Sequence, residues 1–149
     1  QQGHAACVVD GDELRAGLCC DLGFDAASRA ENVRRAAEIA KLLNANGICA
    51  IVALVSPAAD ARTAAYASIG PQHCIEIHVN TPLAVCEARD PKGLYARARA
   101  GEQKQMTGIQ ASYDSPLAPA LRIDTSQTSL ESAVAQMLQC SIGLFPHNL

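Results

Sequence analysis

The sequence predicts an α/β fold, a parallel sheet with helices on both faces. Three observations carry that expectation. Short runs of β-branched and small apolar residues recur along the 149-residue chain. Stretches of helical period separate them, and most of the runs end in polar, turn-forming residues. Strands alternating with helices of ordinary length build βαβ units, which close on a parallel sheet.

Cys7-Val8-Val9-Asp10 reads as a strand that feeds an Asp-Gly-Asp loop. From Ser28 to Asn46 the period is helical. Val33, Ala36, Ala37, Ala40 and Leu43 form an apolar stripe, and Glu31, Arg34, Arg35, Glu38 and Lys41 a charged one. Ser28 is the expected N-cap with Glu31 three residues on, and Gly47 the expected terminator. Ile48 to Val55 is apolar on both alternations, the pattern of a strand covered on both faces. A short alanine-rich helix should follow Pro57. Cys74 to Val79 is a further expected strand, after which Thr81-Pro82 opens a helix. Leu121 to Asp124 reads as the last strand, and Ser129 to Leu138 as a closing amphipathic helix begun by Thr128 or Ser129. The four strands are expected in one sheet. Ligands of such folds sit beyond the carboxyl ends of the strands, so Asp10-Gly11-Asp12, Ser56-Pro57 and Asn80-Thr81-Pro82 should form the rim of a site.

Composition narrows the possibilities. An apolar fraction of 49% with 18% charged residues argues for a packed core, and 3% aromatics without tryptophan means that Ala, Leu, Val and Ile fill it. Twelve Lys and Arg against 15 Asp and Glu, with so few aromatics to stack on bases, argue against a nucleic-acid partner and leave room for a small anionic ligand. The longest apolar run is too short to cross a membrane, and no signal peptide is evident. The seven cysteines form no CxxC pair and read as small buried hydrophobes in a reducing, cytoplasmic setting. His4, His73, His78 and His147 lack metal-ligand spacing, and neither a G-x-S-x-G elbow nor a Cys-His pair points to covalent catalysis. Between Arg89 and Tyr113 no strand or long helix is expected. Arg89, Lys92, Arg97, Arg99 and Lys104 fall there, as in a mobile lid over phosphates.

Several segments carry a family resemblance. They are Asp10-Gly-Asp-Glu-Leu-Arg15-Ala-Gly-Leu18, Asp21-Leu-Gly-Phe24, Arg29-Ala-Glu-Asn32-Val-Arg-Arg35 and Val55-Ser-Pro57. Thr81 to Tyr95, Ala98-Arg-Ala-Gly-Glu102 and Thr107-Gly-Ile109 continue the match, and Cys86 to Tyr95 is close to diagnostic alone. In this order and spacing they resemble the adenylyl-sulfate kinase family, which makes 3′-phosphoadenylyl sulfate on a P-loop NTPase-like three-layer fold. The resemblance implies a kinase-like domain over residues 1–140 with a tail over 141–149. It also implies Mg2+ with ATP, adenylyl sulfate as the second substrate, a homodimer, and association or fusion with ATP sulfurylase. The family's opening strand and P-loop have no counterpart here, since no G-x-x-x-x-G-K-[ST] occurs. That strand is central in the family's sheet, so its neighbours are expected to have bare edges and these residues to be part of a longer chain.

Phosphoryl transfer to a ribose hydroxyl needs positioning, charge neutralisation and a proton acceptor. Asp12, at a strand end, fits the proton-acceptor or metal-orienting role, and the resemblance places the family's acidic residue there, although a turn or helix-cap aspartate is the structural alternative. It gives Arg15, Phe24, Arg29, Asn32, Val55, Ser56, Lys92 and Met106 to adenylyl sulfate, with Phe24 stacked on adenine and the forked arginine donors suited to a phosphosulfate. Arg89, Thr107 and Gly108 fall to ATP and the lid. Ala58, Ala59, Asn80, Gln105 and Met106 depart from the family pattern, and Met106 replaces an aromatic without its π-face. A second reading is therefore a kinase-like module that binds a nucleotide for regulation. A P-loop upstream would decide for the enzyme. Another kind of P-loop nucleotide kinase is disfavoured by the Arg89 to Tyr95 motif.

Overall fold

The computed structural model describes residues 5–102 and 106–144. They fall into two compact units that divide between Cys74 and Ile75, and each is described by itself. The first contains β1 (Ala6–Asp10), α1 (Gly11–Ala16), α2 (Ala26–Ala45), β2 (Cys49–Ala53) and α3 (Ala59–Ile69). The second contains β3 (Ile77–Val79), α4 (Leu83–Arg89), α5 (Leu94–Arg99), β4 (Leu121–Ile123) and α6 (Leu130–Ser141), followed by a 3-10 turn at Ile142–Leu144.

In the first unit β1 and β2 are parallel, with Ala6 opposite Cys49 and Asp10 opposite Ala53. The helix α2 returns the chain between them and packs on both strands and on α3. Its buried stripe is Asn32, Val33, Ala36, Ala37 and Ala40. Alanines let the helix approach the strands closely, which suits a chain short of aromatics. The cap differs from the sequence expectation. Asp25, not Ser28, is the N-cap, accepting the Ser28 amide at 3.0 Å and its hydroxyl at 2.6 Å. A carboxylate is the stronger acceptor, so the helix starts a turn earlier. Glu31 is thereby freed from a capping box. It pairs with Arg34 at 2.7 Å and Arg35 at 2.9 Å. At the other end Gly47, at φ +73°, adopts the left-handed turn that lets the Ile48 amide reach the Leu43 carbonyl at 3.0 Å.

In the second unit β3 and β4 are parallel, with His78 opposite Arg122. α6 packs against β4, and Ser129 caps it by accepting the Ser132 amide. Ile123, Ala98 and Ala133 are buried here. β3 is shorter than the expected Cys74–Val79, because only Ile77–Val79 find ladder partners in β4. The expected lid region contains one short helix, α5, whose first amides at Tyr95 and Ala96 are held by the Asp90 carboxylate at 3.1 and 2.9 Å.

Three further expectations are corrected. The four strands form two parallel pairs rather than one continuous ladder among the described residues. β2 is not covered on both faces: Ile51 is 52% and Val52 40% exposed. Its pattern is that of an interior strand, yet β1 is its sole ladder neighbour here. The cysteines are all free, but Cys19 alone is buried, while Cys7 and Cys20 are exposed. Cys7 lies on an open strand face and Cys20 on a turn, where no layer covers them.

The Asp21–Arg35–Glu31 cluster sets an acid sensitivity. Arg34 and then Arg35 hold the Glu31 carboxyl down at about 2, and Arg35 also holds Asp21 below the usual carboxylate range. Both groups bind protons less readily folded than unfolded, so their contribution is complete above the unfolded carboxylate range and is lost as pH falls towards 2. Thermal melting should accordingly hold steady from pH 7 to about 5 and decline below about 4.5. Glu31→Gln should flatten that decline. The amplitude is small, because these pairs are solvent-screened.

Candidate active site

The strand ends of the first unit open onto a cavity of about 210 Å³. Its walls come from the β1–α1 junction (Asp10, Gly11, Asp12, Arg15), from Phe24, from α2 (Arg29, Asn32, Val33) and from the segment 53–57 after β2. This is where ligands of parallel α/β folds bind. Asp10 caps α1, accepting the amides of Asp12 at 2.8 Å and Glu13 at 3.4 Å. The cap is thus Asp10, and Asp12 lies in the first turn of α1 on the cavity wall.

Two arginines and an aromatic ring form the opposite side. The Arg15 guanidinium lies 4.3 Å from the centre of the Phe24 ring and that of Arg29 5.6 Å away, both within cation–π range. Each arginine also fastens the loop that carries Phe24. Arg15 Nη1 donates to the Leu22 and Gly23 carbonyls at 3.2 and 2.8 Å, and Arg29 Nε to the Phe24 carbonyl at 2.7 Å. Burial, with Arg15 nearby, lowers the proton affinity of the Arg29 guanidinium from its ordinary value. Two cations are thus held together in a cavity whose lining also carries the Asp10 and Asp12 carboxylates. Phe24 itself is 52% exposed, a large apolar surface beside that cavity.

Asn32 is 5% exposed, and its Oδ1 has no hydrogen-bond partner. A buried polar atom left unsatisfied is costly, and on a cavity wall it marks where a ligand donor belongs. Val55 and Ser56 line the same cavity. Ser56 stands at φ +42°, in the left-handed region that favours glycine. Arg62, in the first turn of α3, donates from Nη1 to the carbonyls of Ser56 at 2.7 Å and Pro57 at 3.2 Å. Sequence reasoning did not single out Arg62. Its one signal was a lone cation in an alanine-rich helix just past Ser-Pro.

Asp12, Arg15, Phe24, Arg29, Asn32, Val55 and Ser56 thus share one cavity. The remaining candidates belong to the second unit. Arg89 ends α4 and donates to the Thr125 hydroxyl at 2.6 Å and the Thr125 carbonyl at 2.9 Å, while the Thr81 and Thr125 hydroxyls are 2.7 Å apart. Lys92 is exposed in the Asp90–Gly93 turn. Met106, Thr107 and Gly108 form a tight turn in which Gln110 accepts the Met106 amide at 2.9 Å and donates to the Ala98 carbonyl at 3.1 Å. Gly108 takes φ +86° there with Leu83 close by, and the Thr107 hydroxyl is buried without a partner. His78 is buried, with Arg122 3.1 Å from its Nδ1 and Tyr113 stacked on its ring. Lys104, Gln105, His4 and His147 lie outside the described residues.

Parallel βαβ units with a cavity at the strand ends make an α/β domain, of the P-loop NTPase-like class to which the similar solved structures belong. The family model for adenylylsulphate kinase matches residues 1–124, and the chain belongs to that family of phosphotransferases. It is 48% identical to the adenylyl-sulfate kinase of Shewanella amazonensis, covering 96% of this chain and 72% of that protein. With the adenylyl-sulfate kinase of Bacteroides fragilis it shares 49% identity, over 89% of this chain and 65% of that one. The chain therefore spans about two thirds of the length of these curated relatives. Among solved structures, the Mycobacterium tuberculosis APS kinase CysC in complex with AMPPNP and APS superposes with a TM-score of 0.89. That match is 42% identical and covers 93% of this chain and 81% of that one. A hexameric APS kinase from Thiobacillus denitrificans gives a TM-score of 0.68 at 29% identity, over 98% of this chain and 24% of that one.

Proposed function

We propose that the whole protein is an adenylyl-sulfate kinase, transferring the γ-phosphoryl of ATP to the 3′-hydroxyl of adenylyl sulfate. The observation that carries this reading is the buried, unsatisfied Asn32 Oδ1 on a wall shared with two arginines and an exposed phenylalanine. A ligand that suits all of them has a flat apolar ring, hydrogen-bond donors and a compact multiple anion. Adenylyl sulfate has these three parts. Arg15 and Arg29 receive the phosphosulfate, Phe24 offers its ring to the adenine, and Asn32 accepts a donor of the nucleoside. Val55 and Ser56 lie alongside it. Asp12 takes the proton as the ribose hydroxyl becomes a nucleophile.

In this reading the family resemblance gives Arg89, Thr107 and Gly108 to ATP, and Lys92 and Met106 to adenylyl sulfate. Mg2+ takes one or two carboxylate oxygens together with substrate phosphates. Asp12 offers such an oxygen on the cavity wall. The ion would neutralise charge on the transferring phosphates. Among the described residues no helix is long and apolar enough to cross a membrane. We assign the protein to the cytoplasm, where its free cysteines remain reduced.

The test supplies the whole protein with Mg2+, γ-labelled ATP and adenylyl sulfate and separates the nucleotides. Label in 3′-phosphoadenylyl sulfate is expected. Tight binding of adenylyl sulfate without transfer would replace the enzyme by a nucleotide-sensing module, and absence of binding would remove the reading.

A further inference from the structure

We infer that Arg62 is a positioning residue of this cavity, holding Ser56 in a left-handed turn so that its amide and hydroxyl, not its carbonyl, meet the ligand. The inference rests on the adenylyl-sulfate reading above and adds to it a residue outside the cavity lining. β2 ends at Ala53, and the chain runs on through Leu54 and Val55 to Ser56, where φ is +42°. A serine adopts that region only against steric resistance from its Cβ, and the following Pro57 restricts it further. Such strain persists where surrounding contacts over-determine it. Here a guanidinium supplies two of those contacts. Arg62 Nη1 takes the Ser56 and Pro57 carbonyls at 2.7 and 3.2 Å, fixing two successive peptide planes from the first turn of α3.

The helix has no side-chain cap of its own, since Ala58 occupies that place. Arg62 therefore joins the turn to α3 where a serine or aspartate cap does so elsewhere. With the Ser56 carbonyl engaged, its amide N–H and hydroxyl are the groups on the cavity wall able to address a ring nitrogen or exocyclic amine of a purine. A glycine would hold the same φ without resistance, so the serine contributes its hydroxyl despite the strain. Arg62 is thus a specificity device for the base of the acceptor nucleotide, acting through Ser56.

Steady-state kinetics of the whole protein, with calorimetric binding of adenylyl sulfate, test this on Arg62→Ala, Ser56→Gly and the double variant. Arg62→Ala should raise the KM for adenylyl sulfate about five- to tenfold, the usual worth of removing such hydrogen bonds, with the KM for ATP and kcat nearly unchanged. In the Ser56→Gly background the same removal should matter much less, because glycine keeps the turn unaided. Equal costs in both backgrounds would overturn the inference. So would parallel losses in both KM values and kcat that follow a lowered melting temperature. Should Arg62→Ala not fold, Arg62→Met keeps the aliphatic stem without a donor and is expected to show the same selective rise. If the parent binds adenylyl sulfate and the Arg62 variants bind it equally, the inference alone falls. If the parent binds none, the reading of the cavity falls with it.

Discussion

Replacing Arg29 with alanine is expected to weaken adenylyl sulfate binding by about 1.5–3 kcal/mol, roughly ten- to 150-fold in Kd. The charge that Arg29 meets is already present on the phosphosulfate before reaction, so the loss belongs to the ground state and should appear in Kd and KM. Part of the effect passes through Phe24, because Arg29 also holds the Phe24 carbonyl and lies beside its ring. Arg29→Lys should recover little, since a single ammonium cannot serve the loop carbonyl and an anion together. Calorimetry on the whole protein gives the number. A Kd unchanged by Arg29→Ala would take the anion subsite away from this pair of arginines.

Asp12→Asn is expected to do the opposite: leave that binding nearly intact and lower kcat by about a hundredfold or more. Asparagine keeps the size and a polar tip but does not accept the ribose proton. Asp12 sits in the first turn of α1 while Asp10 caps the helix, so the substitution leaves the cap in place. The measurement is steady-state turnover with both substrates varied. Full activity in Asp12→Asn would end the proton-acceptor assignment, and equal damage to binding and turnover by both substitutions would end the separation of roles.

Much of this architecture was legible because it is written in local chemistry. The strand before Asp10 and the stripe from Val33 to Ala40 follow from period alone, whereas capping signals leave the start of the last helix between Thr128 and Ser129. The choice of Asp25 over Ser28 was not legible, since both residues suit a cap and the decision lies in the Asp25 carboxylate taking the Ser28 amide and hydroxyl. The pattern of Ile48 to Val55 describes the surroundings for which the segment is suited, whereas its exposure depends on which strands flank it. Arg62 escaped notice for a related reason. Its function depends on the backbone angle of a residue six positions earlier, and a helical arginine looks the same with or without that partner.

The segment from Gly17 to Asp25 is fastened by three arginines. Arg35 grips the Leu18 carbonyl and both oxygens of Asp21, Arg15 the carbonyls of Leu22 and Gly23, and Arg29 that of Phe24. Cys19, within it, is fully buried, its amide on the Leu14 carbonyl at 2.7 Å. Fixing a flexible backbone costs about 1–2 kcal/mol per residue, and here that ordering is complete when the domain folds. A ligand arriving from solution meets a finished wall. Capture at that wall is accordingly expected as a single encounter, with an association rate that rises in proportion to ligand concentration and a residence time set by how fast contacts to the fixed arginines break.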